Sequence, residues 1–212
     1  MELTQLTDGT TIIVLGSWNQ RIFTPDWISG GRLTDLTEIP MEIAPNQPQL
    51  PIRYLFDGIV LSVSGTRIVI SPQDIGTEHL NKMEETVIKI CKELTHTPVS
   101  AYGINFRFKA TDVDSELLRY FNGDDLVRFT KAEFSVARSG ITRVIKLGQK
   151  ELNLELSQLA STTVQIAFNY HQAVKNTLEI AESIRDTVES YNSKSIEILE
   201  LLGVKKDDDD KE

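Results

Sequence analysis

At 212 residues, with 40% apolar and 25% charged residues, the chain has the composition of an ordinary folded protein and enough length for one large core or two small ones. Its formal charge of −9 lacks the clustered positive charge that phosphate backbones require, so nucleic acid is not expected as a partner. No apolar run approaches the roughly 18 residues of a membrane span, and a single cysteine, Cys91, excludes an intrachain disulfide.

The opening stretch "MELTQLTDGTTIIVLG" carries Glu2 and Asp8 where a secretory signal carries positive charge, and Ile12 to Leu15 is too short for a signal's apolar core. A cytoplasmic protein is the expectation. Residues 1–51 read as an irregular arm: a strand "TIIVLG", an aromatic segment "SWNQRIFTPDWISGG", then proline-bearing "EIPMEIAPNQPQLP". Thr24 is placed to cap a short helix with Pro25 at its first position, and Gly30-Gly31 stops it. Pro45, Pro48 and Pro51 recur every third residue, the spacing that aligns side chains along a polyproline II segment. Trp18, Arg21, Phe23 and Trp27 bring together residue types that dominate interface hot spots, so they are candidate binding residues. The competing reading is that the aromatics plug one end of a sheet.

Residues 52–202 form the body. Two β-branched runs flank Ser64-Gly65 and read as a hairpin. Pro72 ends the second strand, and Thr77 is placed to cap a helix over about 78–95. Its apolar stripe is Leu80, Met83, Val87, Ile90, Cys91 and Leu94, which makes Cys91 a buried structural thiol. Tyr102, Ile104, Phe106 and Phe108 then alternate with polar residues as in a half-buried strand. A short helix from Asp114 through Phe121 is stopped by Asn122-Gly123. Four strand-like runs follow, "KAEFSVAR", "TRVIKLG", "ELNLELS" and "TVQIAFNY", with turn signals at Ser139-Gly140 and Gly148-Gln149. From 172 to 202 there is neither proline nor glycine, so one long helix is expected. Residues 203–212 form a charged tail whose "DDDDK" resembles the acidic cleavage or epitope sequences appended to recombinant chains.

The predicted fold class is α+β: a mainly antiparallel sheet with both amphipathic helices on one face. Because 52–110 and 111–202 each set hairpin strands beside a helix, a duplicated ββ-α unit is one form this fold can take.

Along the last strand Val164, Ile166, Phe168 and Tyr170 point one way, and Thr163, Gln165, Asn169 and His171 the other. Leu152, Leu154 and Leu156 alternate in the same manner with Glu151, Asn153, Glu155 and Ser157. One face is therefore apolar and the other polar. His171, with Glu155 or Asn169, is the general-base candidate on the polar face, set against a plain solvated surface. "DVDSE" at 112–116 lacks the glycine and distant acid of a calcium loop, and Asp114 reads more simply as a helix cap. Neither phosphate-binding, hydrolase nor zinc signatures occur, so no metal and no cofactor are expected.

In the long helix a seven-residue frame selects Val174, Thr177, Ala181, Ile184, Val188, Tyr191, Ser195, Ile198 and Leu202. Ile198 and Leu202 are expected to project beyond the sheet and meet a second copy. The functional expectation is a non-enzymatic protein-binding or assembly protein that self-associates through this helix, its partner being itself or another protein. A small enzyme built on His171 and a holdase-like chaperone are the alternatives.

Overall fold

A computed structural model describes residues 1–47, 50–121, 123–148 and 150–204. Pro48 of the proline register, Asn122 and Gln149 of two expected turns, and the acidic run of the tail lie outside the described residues. The strands are β1 (Glu2–Gln5), β2 (Thr11–Gly16), β3 (Met41–Glu42), β4 (Arg53–Phe56), β5 (Ile59–Val63), β6 (Arg67–Pro72), β7 (Val99–Thr111), β8 (Ser139–Leu147), β9 (Lys150–Ala160) and β10 (Thr163–Ala173). All join one antiparallel sheet in the order β3-β4-β5-β6-β2-β7-β10-β9-β8. β1 lies beside the far end of β7, with Gln5 opposite Phe108, and β2 lies beside its near end. The supposed N-terminal arm therefore supplies the middle of the sheet.

The helices are α1 (Pro25–Ile28), α2 (Thr77–Glu93), α3 (Ser115–Leu118), α4 (Asp124–Lys131), α5 (Thr177–Ser183) and α6 (Val188–Leu201). α2, α5 and α6 pack over one face, burying Tyr102, Ile104, Phe106 and Phe108 of β7 with Val164, Ile166, Phe168 and Tyr170 of β10. The expected alternation thus holds on these strands. Cys91 is buried in that core, and burial pushes its thiol pKa up to about 12.

Particular residues account for the departures from the sequence reading. The run before Ser64 is two strands, because Asp57 and Gly58 both adopt positive φ (49° and 73°) and close a two-residue hairpin between Phe56 and Ile59. "KAEFSVAR" is not a strand. Lys131 ends α4, Glu133 turns left-handed (φ 62°), and the Phe134 N–H reaches back 3.0 Å to the Phe129 carbonyl as a helix terminator does. Gly76, rather than Thr77, occupies the N-cap of α2.

The single helix expected over 172–202 is also replaced, since β10 runs on to Ala173 and Asp186 (φ 57°) breaks the remainder into α5 and α6. A distant side chain fixes that break. The carboxylate of Glu84, on α2 and only 8% exposed, accepts the N–H groups of Asp186 (2.6 Å), Thr187 (3.0 Å) and Val188 (3.1 Å). The Thr187 side chain makes no capping bond to α6, and its hydroxyl donates to the Ile184 carbonyl. At 14 residues α6 extends about 21 Å, less than the roughly 43 Å of the 13-residue β7, so the expected overhang is gone. The seam turns inward: Thr177, Ala181, Ile184, Val188 and Ser195 are buried, and Ile198 and Leu202 pack against the core. Leu201 is the outward residue, 84% exposed.

No described helix is long and apolar enough to cross a membrane.

Candidate functional site on the open face of the sheet

The face away from the helices carries the polar half of each alternation, and strand register lines those residues into rows. Asn153 of β9, Asn169 of β10, Asn105 of β7 and Thr11 of β2 are successive cross-strand partners. Their side chains form a continuous chain. The Asn153 amide donates to Asn169 Oδ1 (3.1 Å), Asn169 to Asn105 Oδ1 (2.6 Å), and Asn105 to Thr11 Oγ1 (3.1 Å). Gly103 makes room for it, since a Cβ there would stand 2.9 Å from Asn169 Nδ2.

The next row, two residues along, is Thr142 of β8, Glu155 of β9, Ala167 of β10 and Arg107 of β7. Ala167 leaves a low floor between a carboxylate and a guanidinium. The turn between β1 and β2 closes the Arg107 side, and it approaches so closely that a Cβ on Gly9 would overlap the Arg107 Cβ. The two rows and this turn enclose a cleft of about 410 Å3, whose charged lining groups are Arg107, Glu155 and Asp8. That volume falls within the range of small-ligand sites.

Arg107 is the unusual group. Its Nε is buried without a hydrogen-bond partner, and its guanidinium forms neither an ion pair nor a hydrogen bond among the described residues. An unpaired buried donor costs about 1 to 3 kcal/mol, so native structures retain few of them. Glu155 uses only one oxygen: Oε1 accepts from Ser157 Oγ (3.0 Å) and lies 3.8 Å from Arg138.

His171 is not brought to Glu155. It pairs in register with Glu151, four residues along β9 from Glu155, a separation of about 13 Å. Glu151 in turn pairs with Lys146, whose hydrogen bond and then charge lower the pKa of its carboxyl, with a smaller effect from His171. His171 itself forms no hydrogen bond among the described residues. Asn169, the third member of that candidate set, belongs to the amide chain instead.

The aromatic segment folds inward. Trp18 is 4% exposed, donates from Nε1 to the Val14 carbonyl (3.2 Å) and meets Phe23 edge to face. Tyr54 Oη donates to the Phe23 carbonyl, fastening the segment to β4. Trp27 is half-buried against Phe23 with Arg32 over its ring, while Arg21 is exposed. The expected cap of α1 is present: Thr24 Oγ1 accepts from the Trp27 N–H at 3.2 Å.

A larger cleft, about 600 Å3, lies on the helix side between α2 and the α5–α6 junction. Its buried acid, Glu84, is committed to backbone N–H groups, so the open-face cleft holds the more available chemistry. No group of three or more His, Cys, Asp or Glu side chains among the described residues is arranged to hold a metal.

Sequence reasoning passed over Asn105 and Arg107 as ordinary polar positions. A usable signal was present: "INF", "LNL" and "FNY" each set asparagine between apolar residues in mid-strand, where asparagine is depleted. No family model matches the chain, and neither a curated protein nor a solved structure matches it.

Proposed function

We propose that this protein is a non-enzymatic binding protein whose working surface is the cleft on the open sheet face. One observation carries the reading: Arg107 presents an unpaired, partly buried guanidinium beside a pre-ordered chain of three asparagine amides. Amides and a guanidinium recognise and orient polar groups, and the cleft's two carboxylates, Glu155 and Asp8, have neither a histidine nor a cysteine beside them in its lining. A nuclear magnetic resonance screen of polar fragments tests the reading. Binding should shift the side-chain amide signals of Asn105, Asn153 and Asn169 together with the Arg107 Nε–H signal. Fragments that perturb only other surfaces would refute it.

A second reading, self-association, draws on a different surface from the C-terminal helix. β8 is an edge strand with Val144 exposed, and Phe129 and Phe134 are exposed on the segment leading to it. Val136 and Leu159 line a shallow cleft at one end of the same strand pair. An edge strand that exposes apolar side chains is open to pairing with a second copy. Light scattering should give a dimer that Val144→Lys converts to monomer; a monomeric parent chain at tens of micromolar would remove this reading.

We also propose that the chain arose from two like units, which divide near residue 98 and take in the first 51 residues, rather than from the halves 52–110 and 111–202. β2, α1, β4-β5-β6 and α2 follow the same order as β7, α3-α4, β8-β9-β10 and α5-α6, and the units meet where β2 pairs with β7. Residues 1–98 and 99–204 produced separately should then recombine into the native fold; fragments that never associate would count against it.

A further inference from the structure

We infer that the open-face cleft is built for a short zwitterion, a free α-amino acid or dipeptide, with Arg107 holding its carboxylate and Glu155 its ammonium group. The inference rests on the cleft being the binding site and adds the class of ligand. Arg107 and Glu155 occupy one cross-strand row with only the methyl of Ala167 between them. Two strand spacings separate their backbones by about 9.5 Å, and the two side chains form no ion pair with each other. Opposite charges therefore face a shared gap.

Each end has capacity to spare. The Arg107 guanidinium has neither a hydrogen-bond nor an ion-pair partner among the described residues, and Glu155 engages Ser157 and Arg138 through Oε1 alone. Charge balance narrows the class further. The cleft is lined by one guanidinium and two carboxylates, Glu155 and Asp8, in a chain of formal charge −9. A phosphate or other multiply charged anion meets repulsion from both acids. A plain cation meets Arg107. A ligand carrying one charge of each sign meets a complementary group at each end, while the asparagine row beside it supplies uncharged donors and acceptors.

The test uses the full chain labelled with 15N, following the Arg107 Nε–H resonance, which is identified by its loss in Arg107→Lys. The probes are the twenty free α-amino acids and the dipeptide Ala-Ala at about 1 mM, with N-acetylated and C-amidated forms of any that bind, and inorganic phosphate and acetate. At least one zwitterion should shift the resonance. Its N-acetyl and C-amide forms should bind at least about tenfold more weakly, and Glu155→Gln should reproduce the loss seen on acetylation. Backbone spectra of both variants must match the parent, so that lost binding is not lost folding. The inference is overturned if no zwitterion shifts the resonance, or if phosphate, acetate or a blocked derivative does so as strongly. Should neutral polar fragments still bind the cleft in that event, the ligand class alone is wrong; should nothing bind there, the binding reading falls with it.

Discussion

Glu84 accepts three backbone N–H groups from a helix 102 to 104 residues away in sequence, replacing a local cap with a tertiary one. Removing it leaves the buried Val188 N–H without an acceptor and the part-buried Asp186 and Thr187 N–H groups to water, so Glu84→Ala is expected to cost about 1 to 3 kcal/mol in urea unfolding, and Glu84→Gln less because one acceptor oxygen remains. Burial makes a second prediction at this scale. Tyr102 and Tyr170 hydroxyls are pushed up to about 12, as is the Cys91 thiol from its ordinary 9.0. Above pH 9 the unfolded chain sheds these protons while the folded chain keeps them. Stability is therefore flat with respect to these groups below about pH 9 and falls as pH rises toward 12, by up to about 1.4 kcal/mol per pH unit for each. Cys91→Ala should delay the onset of that fall to about pH 10, measured as the urea midpoint against pH. The two tryptophans separate by burial. Trp18→Ala should cost about 3 to 5 kcal/mol and Trp27→Ala clearly less, since Trp27 keeps a solvent-facing edge; equal losses would contradict the packing described.

Among the elements, those whose signal is periodic were legible and those set by one residue's backbone were not. α2 and the alternation of β7, β9 and β10 are written in three- or two-residue spacing over a dozen positions, and each appears where that spacing placed it. Asp57-Gly58 is a two-letter signal inside a continuous apolar run, and Asp186 carries no local warning because the group that stabilises the break sits on α2. The site was half legible for a related reason. Alternation identified the polar face, but register decides which polar residues meet, and register put Glu155 in the row of Arg107 and His171 beside Glu151. The Asp57-Gly58 hairpin is open to a direct test. Gly58 has φ 73°, and an added Cβ would overlap the His79 ring, so Gly58→Ala should destabilise by about 2 to 3 kcal/mol. Adding His79→Ala should recover the steric share and leave the backbone share, a split that a double-mutant cycle resolves.

At the scale of the molecule, one sheet with α2, α5 and α6 on one side leaves the opposite face open, and the antiparallel α+β class follows from composition and periodicity alone. Strand order does not, because nothing local says that the second strand of the chain lies between β6 and β7. That position has a consequence in time. As the chain leaves the ribosome, β2 emerges before both of its neighbours, and it stays unpaired until residues 67–72 and then 99–111 have followed. Gln5 completes its bond to Asn192, a residue 187 positions further along the chain. The β4-β5-β6 meander closes through short loops and can form early, whereas the centre of the sheet must wait for its latest partners. Such non-local pairing places refolding in the millisecond-to-second range, and until β7 arrives the bare edges of β2 are where a nascent chain would need protection from others like it.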